Sequence, residues 1–313
     1  MVKKSKTAVA DTKADLPTNY PEALRALIPS DSVADAYVDR VIDGLAFHEL
    51  LDYAAAEGVH VSTIGDTGAG KTMAKQAWCA KRGWAYVNIP CNGALDPDTV
   101  FGTTDLIDGE TVWSPGTLPL AVEHGFTLID FDEVNTAPQR VMSVFNSLLD
   151  GRGVLTLLGV GGTKTITKHE SVVISASWNE DYTGTAPLNE ALKDRVCAIA
   201  VDWPYLREVE EQVIGFTREK DDGTDEWVAA TSLLDIAERL RKGYEAGDFR
   251  TPISTRKLQR FVFNAIDLGW NFAVTNFVNS FHAEERPQVR EFFVKNQHAL
   301  FTNFGIELVE EEF

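Results

Sequence analysis

The pattern of apolar positions changes character twice along the chain. Residues 1–20 are polar and rich in Lys, Asp and Thr, which predicts a flexible N-terminal arm. From Tyr20 to about Gly58, Val33, Tyr37, Val41 and Leu45 recur at near-helical spacing behind Asp31-Ser32, so this stretch reads as a helical lead-in. Short apolar runs then alternate with helical stretches. Val59–Ile64, Ala85–Ile89, Thr127–Phe131, Val172–Ser177 and Val196–Val201 read as buried strands, and their alternation with helices predicts a parallel α/β sheet covered on both faces. Two interruptions read as β-hairpins. One turns at Asp108-Gly109, a pair suited to positive φ; the other joins Val154–Leu158 to Lys164–Thr167 across Gly159–Gly162. Beyond Trp203-Pro204 the strands are expected to stop. Tyr205–Arg218, Glu226–Ala246, Ser254–Leu268 and Gln288–Asn303 read as helices, with Lys220–Thr224 as a loop. The predicted domains are therefore 21–203 and 204–313, the second entirely helical.

Composition narrows the class. At 313 residues and 44% hydrophobic, the chain can bury a large core. No run approaches the ~20 apolar residues of a membrane helix. No apolar segment follows Met1-Val2-Lys3-Lys4, so no secretion signal is expected. Cys79, Cys91 and Cys197 are odd in number and form no C-x-x-C pair, which fits small buried residues in a reducing cytoplasm. The net charge of −18 disfavours a broad nucleic-acid surface, because phosphate neutralisation supplies most of that affinity. The acidic runs Glu208–Glu211, Asp221-Asp222 and Glu310–Glu312 read as solvated faces and a frayed end.

The chemistry is concentrated in two places. Gly65-Asp66-Thr67-Gly68-Ala69-Gly70-Lys71-Thr72 fits G-x-x-x-x-G-K-[ST], directly after a predicted strand and before a helix-compatible stretch from Met73. Glycines let a backbone curl until successive N–H groups face a phosphate, and the following helix adds its positive end. Gly65, Asp66, Thr67, Gly68, Ala69, Gly70, Lys71, Thr72 and Met73 are thus the expected ATP-binding set. Lys71 would reach the β- and γ-phosphates, and Thr72 would hold Mg²⁺ through its hydroxyl. Leu128-Ile129-Asp130-Phe131-Asp132-Glu133 supplies carboxylates at a neighbouring strand end. Asp132 is expected to hold Mg²⁺ through the metal's water shell. Glu133 is expected to act as general base on the attacking water. Asp130 reads as a strand-end hydrogen-bonding residue. Adjacent acids favour hydrolysis over binding alone.

Around these motifs the chain resembles a known group. Trp113-Ser114-Pro115-Gly116-Thr117-Leu118-Pro119-Leu120-Ala121, then Gly125, then Asp132-Glu133-Val134-Asn135-Thr136-Ala137 is similar to the MoxR, CobS, GvpN and CbbQ branch of AAA+ ATPases, the dynein-related and midasin-like branch. That branch reads W-x-P-G-P-L-x-x-A and then D-E-x-N-x-A; Thr117 stands in place of the second proline. The resemblance spans roughly 59–260. It implies an AAA+ core with a parallel five-stranded sheet in the order 5-1-4-3-2, followed by an all-helical lid. It implies that Asn179, ending Ser175-Ala176-Ser177-Trp178-Asn179, is sensor 1, between γ-phosphate and water. Arg195, closing Leu188–Arg195, would be the arginine finger that enters a neighbouring subunit's site, although Val196 replaces the usual Phe. Arg256, in Pro252-Ile253-Ser254-Thr255-Arg256, would be sensor 2. Plainer readings are a turn former for Asn179, a surface ion pair for Arg195 and a helix-start arginine for Arg256.

A finger acting in trans implies a homo-oligomeric ring, a hexamer by family analogy. The hairpins would line the pore or a face of that ring, or merely decorate it. The implied function is an ATPase motor that remodels or activates a separate protein client, in some relatives one with a von Willebrand A-type domain. The alternatives are a nucleic-acid-directed motor like McrB and a nucleotide-dependent assembly module with little turnover. The six histidines show no ligand-spaced pair, so no cobalt or tetrapyrrole site is expected.

Overall fold

A computed structural model of the chain describes residues 13–91, 95–137, 145–158, 163–179, 188, 190–219 and 223–305. Contacts divide the chain into two compact units. One holds the residues up to Asp66 together with Lys71–Trp203; the other holds Thr67–Gly70 and the residues from Pro204 onward. Among the described residues no helix is long and apolar enough to cross a membrane.

The first unit is built on five parallel strands: β1 (Val61–Ile64), β2 (Ala85–Pro90), β3 (Thr127–Asp132), β4 (Val172–Trp178) and β5 (Ile199–Asp202). Their order is 5-1-4-3-2, as the resemblance implies. All seven residues of β4 and the first five of β3 are buried, which is why these runs show no polar alternation. The register sets the carboxyl ends side by side: Ser177 lies opposite Asp132, and Trp178 opposite Ile64. The last strand starts later than its apolar run. Val196 belongs instead to the helix Glu190–Val196, where it is buried.

The lead-in departs from the helical expectation. It contains short helices at Glu22–Arg25 and Asp31–Asp35, then a small hairpin pairing Val41–Ile42 with Leu45–Ala46, then the helix Phe47–Glu57. The hairpin turns on Asp43 (φ 51°) and Gly44 (φ 83°), an Asp-Gly pair that suits positive φ at both positions. Val41 and Leu45, whose spacing suggested a helical face, are exposed. The expected N-terminal arm is anchored from Lys13 on. Ala14 N–H donates to Arg82 O at 2.8 Å, and the buried Tyr20 reaches Gly125 O at 3.2 Å. Residues 1–12 lie outside the described residues.

Both insertions form the hairpins expected of them. Gly102–Ile107 pairs with Glu110–Pro115 around Asp108 (φ 54°) and Gly109 (φ 83°). Val154–Leu158 pairs with Thr163–Thr167; the turn at 159–162 lies outside the described residues. The Lys164 ammonium sits 3.7 Å from the centre of the Trp113 ring and joins the two hairpins through a cation–π contact.

The second unit is not entirely helical. Phe216–Glu219 pairs antiparallel with Asp225–Val228, inside both stretches read as helix. Phe216 and Val228 sit opposite each other and are buried, so the pattern there is that of a strand pair with one buried face. The helices are Arg207–Val213, Thr231–Glu245, Thr255–Asp267, Trp270–Asn279, Arg286–Lys295 and Gln297–Phe304. The Trp270–Asn279 helix was not anticipated. The single helix expected over Gln288–Asn303 breaks at Asn296 (φ −108°, ψ 11°). Glu210, read as part of a solvated acidic face, is 2% exposed and bonded to Arg241, a partner that local charge pattern cannot reveal. Asp221-Asp222 and Glu310–Glu312 lie outside the described residues.

Phe261 lies at the centre of this unit's core. Its ring meets those of Trp270, Phe277, Phe293 and Phe304 at 5.4, 5.7, 5.3 and 6.2 Å. Replacing Phe261 by Ala is expected to destabilise this unit by about 3–5 kcal/mol. Urea unfolding followed by tryptophan fluorescence checks this, and a loss under ~1 kcal/mol would show that the ring is not central to the core.

Candidate active site

The loop after β1 is shaped by backbone that other residues resist. Gly65 has φ 152°, and a Cβ there would lie 2.6 Å from Trp203 O. Gly70 has φ 96° immediately before the helix Lys71–Arg82. Gly65 N–H donates to Trp178 O at 3.1 Å, tying the loop to the end of β4. The Lys71 ammonium donates back into its own loop, to Gly65 O and to Asp66 O at 2.8 Å. Burial and the nearby Lys75 charge push the Lys71 pKa down to about 8, against the pull of Asp132, Asp66 and Asp130. Thr72 is half-buried in the first turn, and Met73 beside it is exposed.

One turn further on stands Lys75, which sequence reasoning gave no role. It is fully buried, and its ammonium lies 2.6 Å from Asp130 Oδ1, also fully buried. Tyr86 O–H donates to Asp130 Oδ2 at 2.8 Å. Burial and the Asp130 charge raise the Tyr86 pKa well above its usual value, so the phenol remains a donor. The only trace of Lys75 in the sequence is its spacing of four from Lys71, which places it near the same helix face.

Two residues past Asp130 along β3, Asp132 is half-buried. Ser177 Oγ donates to its Oδ1 at 2.6 Å. Glu133 then leaves the strand with φ 55° and ψ 43°, a left-handed conformation that a glutamate seldom adopts. The turn is secured by Thr136, whose N–H and hydroxyl approach Glu133 O at 2.8 and 2.9 Å. Glu133 is exposed. Asn135 donates to Asn179 O at 3.0 Å, connecting this turn to the end of β4. Ser177 and Asn135 stood within the quoted motifs, but their bonding partners only emerge from the strand register.

Lys71, Thr72, Asp132, Glu133 and Asn179 thus gather at the carboxyl ends of β1, β3 and β4, where open α/β sheets bind ligands. Arg195 belongs to the same unit. It lies in the last turn of Glu190–Val196, and its guanidinium donates to Ala191 O at 2.7 Å. No hydrogen bond or ion pair among the described residues joins it to Lys71, Asp132 or Glu133. Arg256 belongs to the second unit, where it is exposed near the start of Thr255–Asp267. Ser254 caps that helix by accepting from Lys257 N–H at 3.2 Å.

Comparison with known proteins bears on this arrangement. Residues 60–196 match the family described as AAA domain (dynein-related subfamily). These residues form a dynein-related, MoxR-like AAA+ domain. The match covers β1 to the helix before β5. The chain is 29% identical to the uncharacterized protein YojN of Bacillus subtilis over 67% of its own length and 70% of that protein's. It is 29% identical to NorQ of Paracoccus denitrificans over 66% of its length and 73% of NorQ. Over a shorter 144 residues it is 32% identical to the uncharacterized protein SH1500 of Staphylococcus haemolyticus, covering 54% of that chain.

The buried Lys75–Asp130 pair makes a stability prediction for this AAA+ domain. Lys75→Met takes the ammonium from the buried Asp130 carboxyl and leaves it the Tyr86 hydroxyl as its side-chain partner among the described residues, and is expected to cost about 3–5 kcal/mol. Changing both residues to apolar ones is expected to recover most of that loss. Thermal unfolding of the two variants side by side tests the pair; equal destabilisation by both would mean that the carboxyl left behind is not the cause.

Proposed function

We propose that this domain binds ATP with Mg²⁺ on the loop Gly65–Thr72 and hydrolyses it within a homo-oligomeric ring that acts on a protein partner. The observation that carries the reading is the meeting of Lys71, Asp132, Glu133 and Asn179 at adjacent strand ends of a 5-1-4-3-2 sheet. In it, Lys71 exchanges the carbonyls of its own loop for the β- and γ-phosphate oxygens. The loop N–H groups and the helix start supply the remaining positive field.

Thr72 and Asp132 are the residues that would hold Mg²⁺. The donor set suits that ion, because a hydroxyl and a carboxylate oriented by Ser177 offer hard oxygen ligands. When bound, Mg²⁺ neutralises charge on the phosphate oxygens. Glu133 takes the proton of the attacking water, and its exposure leaves room for that water. Asn179, tethered through its carbonyl to Asn135, orients the same water. Arg195 acts on the neighbouring subunit's nucleotide; among the described residues it makes no bond to Lys71, Asp132 or Glu133, which is compatible with a role in trans, worth ~10³–10⁵ in rate. Arg256 contacts the γ-phosphate from the lid.

The partner reading draws on the first hairpin. Leu106 and Ile107, beside its turn, are 76% and 51% exposed, an apolar tip that suits a protein surface. The net charge of −18 weighs against nucleic acid as the client. That client would be a separate chain, such as one carrying a von Willebrand A-type domain.

Two variants test the assignment. Glu133→Gln is expected to keep nucleotide affinity and lose at least ~100-fold in turnover. Arg195→Ala is expected to bind ATP normally and lose ~10³-fold or more. Wild-type turnover in either variant, measured by phosphate release, refutes the role given to that residue. Stimulation by DNA rather than by a protein fraction would instead favour the nucleic-acid motor. In Glu133→Gln a trapped client is expected to co-purify in ATP.

The Lys71 pKa adds a pH dependence. Phosphate binding favours the charged amine, so the bound pKa exceeds the free value of about 8. Affinity is therefore full below pH ~8 and falls as pH rises above it, approaching tenfold per unit. Titration with a fluorescent ADP analogue from pH 6.5 to 9.5 reads this slope. A flat profile would mean that Lys71 does not change its charge on binding.

A further inference from the structure

Within the second unit, three segments meet on one buried carboxylate. Glu210, on the helix Arg207–Val213, is 2% exposed. Arg241, on Thr231–Glu245, grips it with two nitrogens, Nη1 to Oε2 and Nη2 to Oε1, each at 2.7 Å. Thr255 Oγ1 donates to Oε1 at 2.7 Å. The remaining edge of the Arg241 guanidinium is used as well: Nε donates to Ile253 O at 2.9 Å, and the group stacks 3.7 Å from the centre of the Tyr205 ring.

The cluster's bonds fall on the residues just before Arg256. Ile253 is held by its carbonyl and Thr255 by its hydroxyl, while Ser254 between them caps the helix. Three consecutive residues are thereby fixed. Arg256 itself is exposed, and its side chain makes no hydrogen bond or ion pair among the described residues. The direction in which it leaves the helix is set by that backbone. A buried ion pair is an inefficient source of stability, since apolar residues of similar volume often serve as well or better. What the two-pronged geometry adds is fixed orientation.

We propose that Glu210, Arg241 and Thr255 form a positioning clamp that sets the start of the Arg256 helix, so that Arg256 meets the γ-phosphate in one orientation. This rests on the reading of Arg256 as the lid arginine. The clamp touches no substrate and acts only through Arg256. The helix that carries Glu210 begins four residues after Trp203, where the first unit ends, so the clamp also joins the connecting segment to the arginine.

A double-mutant cycle on the full-length chain tests it. Thr255→Val keeps the side-chain shape and removes the hydroxyl. It is expected to lower kcat about fivefold, while Thr255→Ser retains the wild-type value. In an Arg256→Ala background, Thr255→Val is expected to change kcat no further, because the residue it acts through is gone. A purely structural role would give the same loss in both backgrounds, and that result, or no loss in either, overturns the clamp. Should Thr255→Val not fold, Arg241→Lys, which keeps the charge and loses the two-pronged grip, enters the same cycle. An Arg256→Ala enzyme with wild-type turnover overturns the reading of Arg256 itself, and the clamp with it. A slow Arg256→Ala enzyme beside an unaffected Thr255→Val enzyme overturns the clamp alone.

Discussion

A carboxylate and an ammonium with no exposure to water are tolerated only together. Separately, each would lose its hydration with nothing to replace it, at a cost of several kcal/mol per ion. Lys75 and Asp130 meet that condition at 2.6 Å, with Tyr86 completing the carboxylate's bonding. The pair sets the helix that follows the glycine loop against β3. It therefore fixes the spacing between Lys71, one turn back on that helix, and Asp132, two residues on along that strand. Lys75 also places a positive charge beside Lys71, one cause of the lowered Lys71 pKa, while Asp130 pulls the other way.

Around this pair the strand ends are organised by short polar links. Ser177 orients Asp132, Asn135 tethers Asn179, and Trp178 O receives Gly65 N–H. Each link joins neighbouring strands of the parallel sheet, so the site inherits the rigidity of the most buried part of the first unit. Glu133, one of the non-glycine residues with positive φ, lies where the chain leaves this frame. Strain of that kind persists only where the surroundings impose it, here through Thr136.

The second unit repeats the same device with a different purpose. Glu210 and Arg241 are a buried pair whose bonds reach the residues that start a helix rather than a second strand. In both units a charge removed from water and paired with its opposite ties neighbouring elements together: the helix after the glycine loop to β3 in one, and the start of the Thr255–Asp267 helix to two other helices in the other.

Much of this protein could be read along the chain, because the chemistry lies in adjacent residues. The loop Gly65–Thr72, the acids Asp132-Glu133, five apolar runs and both Asp108-Gly109 and Val154–Thr167 hairpins are all local patterns, in which backbone conformation or burial follows from near neighbours. Periodicity failed where it was weak or conflicted with turn chemistry. Asp43-Gly44 made a hairpin from an expected helix, and Phe216 and Val228 made a strand pair in a region read as helical. What tertiary structure alone decided is the pairing of buried charges. Lys75 finds Asp130 across 55 residues, Ser177 finds Asp132 across 45, and Glu210 finds Arg241 across 31. Such partners are selected by which side chains are desolvated together, and that is a property of packing which no spacing along the chain encodes.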